Sequence, residues 1–203
     1  MASIVCRTTR TVYYPIPKNA SSTLREVFFE IDNGFAFRPF EINGKRMDLF
    51  WLYRNQEMFQ PASAPMGFES IAVVRDPVRR FVSFYKWAVT DNNCGFDRDI
   101  EINEFVTDFE THLKGSPKVR FHLAPQTMFI GKDLGFFDRV FQVENLRDLE
   151  AYLSKRAGVP VRLPISNPSA TAKASPTLSD ASTRRIMDLY HEDYKLLAQF
   201  YRP

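Results

Sequence analysis

The chain has 203 residues, 44% hydrophobic and 25% charged, an ordinary soluble globular composition that suits one domain, 1–203, with a sizeable core. A formal charge of +3 and a pI of about 8.9 are compatible with an anionic ligand, but the absence of a long basic run argues against nucleic acid binding. No apolar run reaches the ~18 residues of a membrane span.

Met1-Ala2-Ser3-Ile4-Val5-Cys6-Arg7 carries no h-region of a signal peptide. The expectation is a cytoplasmic protein, or one whose membrane anchor has been removed. Cys6 and Cys94 are far apart and fit no metal spacing, so they read as free buried thiols. His112, His122 and His191 fall in no ligand pattern, and no metal site is expected. The 19 Phe suggest a dense core or an apolar cleft.

In chain order, Ser3–Cys6 and Thr11–Tyr14 are β-rich runs, and Pro15 and Pro17 stiffen the turn that follows. A helix is predicted from Ser21 or Ser22, with Leu24, Val27, Phe28 and Ile31 inward, stopped by Asp32-Asn33-Gly34. Residues 35–68 read as loops with one helix within Asp48–Phe59. Ser70–Val74 reads as a buried parallel strand. Pro77 stands at a first helical position, and Val78, Phe81, Val82, Tyr85 and Val89 give that helix its inner face. Ile102, Phe105, Val106, Phe109 and Leu113 predict one helix over 101–115. Arg139–Val143 reads as a strand, and Asn145 as the cap of a helix ended by Gly158 and Pro160. Residues 160–178 form a long loop, and Ser179 opens a last helix to about Tyr201. The βα alternation predicts a parallel sheet flanked by helices.

Two segments carry chemistry. In the first, Tyr14 to Leu24, a strand and a tight turn lead into a helix N-terminus. Asn19 to Thr23 can present consecutive amides there, Ser21, Ser22 and Thr23 add hydroxyls, and Lys18 adds a cation. A phosphate fits that arrangement. The plainer alternative is a Ser-Ser-Thr-capped helix with a solvated lysine. The second segment, Ala72 to Tyr85, puts Arg75 at the C-terminal end of a strand, where open α/β sheets bind ligands. Arg79 and Arg80 follow on the first helical turn, Ser83 lies eight residues after Arg75, and Asp76 caps the helix. Guanidinium and hydroxyl groups suit a phosphate monoester. The alternative is a surface salt-bridge cluster of Arg75, Asp76, Arg79 and Arg80.

Pro17-Lys18-Asn19-Ala20-Ser21-Ser22-Thr23-Leu24 resembles the 5′-phosphosulfate loop of sulfotransferases that use 3′-phosphoadenosine 5′-phosphosulfate (PAPS). Arg75-Asp76-Pro77-Val78-Arg79-Arg80-Phe81-Val82-Ser83-Phe84-Tyr85 resembles their 3′-phosphate motif. The closest flavour is that of the Golgi carbohydrate sulfotransferases and their bacterial relatives. The motifs cover under a fifth of the chain, in the right order, and Phe141-Gln142-Val143-Glu144-Asn145-Leu146 agrees with a later strand-to-helix step.

The resemblance implies a P-loop-NTPase-like α/β fold of three layers, with a central parallel sheet, no nucleotide hydrolysis and no metal. It implies that Lys18 contacts the sulfate and the bridging oxygen, and that Asn19, Ala20, Ser21, Ser22 and Thr23 cradle the 5′-phosphate. Arg75 and Ser83 hold the 3′-phosphate, and Lys173 reaches the cofactor from the late loop. The partners implied are the nucleotide, which leaves as 3′,5′-ADP, and a hydroxyl acceptor of carbohydrate class.

Sulfuryl transfer is an in-line displacement that needs leaving-group stabilisation and a base for the acceptor hydroxyl. His122, in Arg120-Phe121-His122-Leu123-Ala124-Pro125-Gln126-Thr127, is the first choice, since relatives carry a His and a Pro-Gln pair in that region and imidazole suits proton abstraction near neutral pH. Otherwise His122 only hydrogen-bonds within a loop. Glu69 and Glu57 are the fallback bases. Trp51, Tyr53 and Trp87 are candidates to stack on sugar faces, against the commoner fate of core packing. The rival functions are a P-loop kinase or NTPase, which lacks its Walker glycines here, and a non-catalytic phospho-ligand binding module.

Overall fold

The computed structural model describes residues 3–53, 65–90, 94–97, 99–164 and 176–202. In chain order its elements are β1 (Ile4–Cys6), β2 (Thr11–Tyr14), α1 (Ser21–Asn33), β3 (Phe40–Ile42), β4 (Lys45–Met47), α2 (Leu49–Tyr53), β5 (Glu69–Val74) and α3 (Pro77–Tyr85). A π-helical turn, Lys86–Thr90, extends α3. Then follow α4 (Ile102–Thr107), α5 (Phe109–Gly115), α6 (Pro117–Leu123), α7 (Thr127–Ile130), β6 (Arg139–Gln142), α8 (Leu146–Ala157), α9 (Asp180–Leu189) and α10 (His191–Leu196). The chain is α/β and divides into two compact units, Met1–Val74 with Met128–Ser166, and Arg75–Thr127 with Asn167–Pro203.

The first unit holds a central sheet of order β1-β2-β5-β6. β2, β5 and β6 are parallel, with Tyr14 opposite Ala72 and Val73 opposite Phe141. β1 is antiparallel to β2, which corrects the expectation of a wholly parallel sheet. The reason is length. Only Arg7–Arg10 joins β1 to β2, far short of a crossover, and the turn closes with Arg10 in the left-handed region and its N–H on the Arg7 carbonyl at 3.1 Å. Every residue of β2 is buried, as a strand covered on both faces requires. On one face Tyr13, Ile71 and Val73 pack with Leu24, Val27 and Phe28 of α1 and Leu149 and Leu153 of α8. On the other, Tyr14 meets Phe136 and Phe137 edge-on, with centroids 5.5 and 5.4 Å away.

α1 ends where Gly34 takes a left-handed φ of 76° and donates its N–H to Glu30, and α8 ends the same way at Gly158. Within 35–68 the structure has a hairpin, β3–β4, in place of the expected loops. Asn43 and Gly44 both take positive φ, which the tight primed turn of a two-residue hairpin needs.

In the second unit, Phe81, Phe84, Phe105, Phe109, Val119, Leu123, Ile186 and Tyr190 form one core. Asp76 caps α3 by accepting the Arg79 N–H at 2.8 Å, with Pro77 at the first helical position as expected. The single helix predicted over 101–115 divides at Asp108 into α4 and α5. The last helix likewise divides at Tyr190, whose hydroxyl donates to the Leu123 carbonyl at 2.7 Å. Burying Tyr190 and Asp193 against partners far along the chain outweighs continuous helix periodicity there.

Candidate functional site

The loop between β2 and α1 begins with Pro15, Ile16 and Pro17, all buried. The chain turns so tightly that Lys18 and Ala20 sit in the left-handed region, with φ of 70° and 59°. For side-chain-bearing residues outside the Asn and Asp class this is uncommon and costs on the order of 1 kcal/mol each. Alternating handedness along a turn aims successive amides to one side, which makes a concavity for an anion. α1 starts immediately after. Its cap residue, Ala20, has no side-chain hydrogen bond to the helix, which removes the reading of a Ser-Ser-Thr-capped helix. The thirteen-residue helix brings its positive dipole end to this point. Ser21 and Thr23 are buried, Ser22 is exposed and Lys18 is half-buried.

Asn19 is placed differently from the expectation. Its side chain is fully buried and donates to the Val73 carbonyl at 2.9 Å, and its own N–H donates to Ile16 at 3.2 Å. It is the post that fixes the loop to the end of β5, so a ligand would meet the amides from Ala20 onward. One turn into α1, Arg25 is buried with its guanidinium 5.6 Å from the Phe50 ring. Burial pulls its pKa down and pushes the Tyr13 hydroxyl up.

The second motif begins one residue past β5, at Arg75, which is half-buried; Ser83 is half-buried on α3. The three arginines have separate fates. Arg79 is exposed. Arg80 is 1% exposed and donates to the carbonyls of His122 at 2.9 Å and Ala124 at 2.8 Å. Burial lowers its pKa, opposed by the neighbouring Tyr190 and Asp193. Neither a surface salt-bridge cluster nor a shared phosphate fork describes Arg80, which is an internal brace. Asp76 also accepts from the Tyr194 hydroxyl at 3.2 Å.

His122 lies on α6, in helix and not in a loop. Its Nδ1 is 2.8 Å from the Lys118 carbonyl. A carbonyl can only accept, so Nδ1 carries a proton and Nε2 is the nitrogen that can take one up. The ring stacks on Trp87 with centroids 4.4 Å apart, and the Lys118 ammonium sits 4.9 Å from that indole. Trp87 belongs to the π-helical turn, a local irregularity that re-aims side chains. It is therefore a stacking partner of His122.

Glu69 lies at the far end of β5 from Val74. It is the first residue of β5, paired with Thr11 at the strand's N-terminal end, about 16 Å along the strand from Val74. Its carboxylate is taken up by Arg156 at 2.8 Å, Arg139 at 3.3 Å and the Tyr152 hydroxyl at 3.0 Å. Arg156 goes on to bond the Thr9 and Arg10 carbonyls, so the cluster clasps α8 to the β1–β2 turn. Glu57 and Lys173 lie outside the described residues. His191 is exposed beside Glu192, and His112 stacks on Phe105 at 4.3 Å. Cys6 is fully buried, with its thiol pushed up to about 11 by burial, and Cys94 is half-buried. Among the described residues no group of three His, Cys, Asp or Glu could hold a metal ion, and no helix is long and apolar enough to cross a membrane.

The sequence model of the Sulfotransferase family matches residues 1–201. No curated protein and no solved structure matches the chain.

Proposed function

Because this chain belongs to the sulfotransferase family, we propose that it moves a sulfuryl group from PAPS to a hydroxyl acceptor of carbohydrate class. The family match runs through both compact units, and the proposal takes them as one functional domain of P-loop-like type. The observation that carries the reading is the 17–23 loop. Lys18 and Ala20 are held left-handed at a helix start whose cap residue, Ala20, makes no side-chain hydrogen bond to the helix, and Asn19 pins the loop to the end of β5. A strained and anchored turn with a cation in it is poorly explained as a mere connection.

When bound, the nucleotide supplies the sulfuryl group and departs as 3′,5′-ADP. In this reading the amides from Ala20 to Thr23, with the Ser21, Ser22 and Thr23 hydroxyls, hold the 5′-phosphate. The Lys18 ammonium neutralises charge that grows on the bridging oxygen as the S–O bond breaks. Arg75 and Ser83 hold the 3′-phosphate, which distinguishes this donor from ATP, and Lys173 reaches the nucleotide. His122 Nε2 takes the acceptor proton as the new O–S bond forms, so the proton ends on imidazole and the electron pair on the departing phosphate. Asn19 acts by position alone, and Glu69 stays in its ion-pair cluster.

The test is calorimetric titration with 3′,5′-ADP and, separately, ATP with Mg²⁺, followed by assay of PAPS-dependent sulfation across a sugar panel. Binding of 3′,5′-ADP well ahead of ATP, with transfer to a sugar, is expected. Preference for ATP–Mg²⁺ would point to a kinase and overturn the reading.

A further inference from the structure

Gln126 is fully buried, and both ends of its carboxamide engage Arg75. Its Oε1 accepts from the Arg75 N–H at 3.1 Å, and its Nε2 donates to the Arg75 carbonyl at 2.8 Å. One side chain thus engages both backbone groups of Arg75, as a neighbouring strand would, at the residue just past β5 where the sheet ladder has ended.

Gln126 is itself held on every side. Its N–H donates to Asp193 Oδ2 at 2.8 Å, and the next N–H, of Thr127, donates to Asp193 Oδ1 at 3.0 Å. Asp193 has no exposed surface. On the preceding side Arg80 grips the carbonyls of His122 and Ala124, and Tyr190 grips that of Leu123. Pro125 then fixes its own φ. The whole segment 122–127 is braced, and what it delivers is a planar amide against Arg75.

We propose that Gln126 is a positioning residue. It fixes the backbone of Arg75 so that the guanidinium is pre-aimed at the nucleotide's 3′-phosphate, while Asp193 and Arg80 hold Gln126. The inference rests on the reading of Arg75 given above. Fixing the main chain at a ligand-binding arginine removes an ordering cost otherwise paid at binding. Its signature is selective. Loss of Gln126 weakens ligands that carry a 3′-phosphate and leaves those without it largely unchanged.

The experiment measures Kd for 3′,5′-ADP and for 5′-AMP in the wild type, Gln126→Met, Gln126→Glu and Arg75→Ala, with each variant's Tm recorded. The readout is the ratio of the two Kd values. Arg75→Ala is expected to bring the ratio close to one. Gln126→Met is expected to lower it about ten-fold, with the loss falling on the KM for PAPS more than on kcat. Gln126→Glu keeps the acceptor for the Arg75 N–H and loses the donor, so it should fall between. A wild-type ratio in both folded Gln126 variants overturns the positioning role, as does an equal loss for both nucleotides, the mark of a purely structural residue. An unchanged ratio in Arg75→Ala instead removes the 3′-phosphate assignment and the proposal with it. Amide hydrogen exchange in the wild type is independent of any variant's folding. The Arg75 N–H should be strongly protected, and exchange at the rate of an open amide overturns the clamp.

Discussion

The side-chain amide of Asn19 donates to the carbonyl of Val73 at 2.9 Å, so the turn bearing Lys18 is bolted to the strand that runs on, two residues later, into Arg75. Asn19→Ala leaves that buried carbonyl without this donor and should cost about 1–3 kcal/mol, read as a lower midpoint in denaturant. Turnover should fall by more than the folded fraction does, because the loop loses its anchor. Wild-type turnover per folded molecule would show that the anchor is dispensable.

Lys18 is assigned to charge that develops during transfer. Lys18→Met should therefore reduce sulfuryl transfer about 10²–10³-fold while 3′,5′-ADP, which lacks the sulfonate, binds within a few-fold of wild type. Single-turnover rates and calorimetry on one preparation separate the two. A loss confined to nucleotide affinity would make Lys18 a binding group only.

For His122, with its Nδ1 committed to Lys118, the expected consequence of His122→Ala is a fall in turnover of about 10²–10⁴-fold at nearly constant nucleotide affinity. The pH dependence of the residual rate should lose its acid limb. If turnover is unchanged, the proton leaves by another route.

Glu69→Gln separates structure from chemistry at the other end of β5. Breaking its contacts with Arg156 and Arg139 should cost about 1–2 kcal/mol of stability. Sulfuryl transfer per folded molecule should match wild type. A large drop in turnover without a change in Tm would return Glu69 to the list of bases.

Acid stability has one clear contributor in Asp32. Burial raises its pKa, but the N–H groups of Thr8 at 2.8 Å and Arg7 at 2.9 Å outweigh burial and hold it below the ordinary aspartate value. A depressed folded value means stability that is present above the unfolded pKa of about 3.9 and lost as pH falls through the folded one. Asp32→Asn should cost about 1 kcal/mol at pH 7. The gap in Tm between the two proteins should close below about pH 4. A constant gap from pH 7 to pH 3 would remove Asp32 as the source.

What was legible in the sequence was local chemistry. Asp76 with Pro77 announced the start of α3, Gly34 and Gly158 announced two helix ends, and the two motifs announced the family. What escaped depends on partners distant in the chain. Arg80 looks like a surface cation until the carbonyls of His122 and Ala124 are brought to it. Asn19 looks like one more amide of the loop until Val73 accepts its side chain. Glu69 looks well placed until the register sets it opposite Thr11. The Asn43-Gly44 turn was a signal in plain sight, but three-residue strands with exposed faces give too little alternation to support it. Gln126 carried only the faint hint of a Pro-Gln pair.

The left-handed turn at 18 and 20 has a consequence for anyone engineering this enzyme. Relief of backbone strain is available at both positions by glycine, and a screen for thermal tolerance would find it attractive at each. At 20 the exchange removes one methyl group. At 18 the same exchange deletes the ammonium along with the strain, so under the role proposed for Lys18 hardening the scaffold and keeping the reaction part company at a single residue.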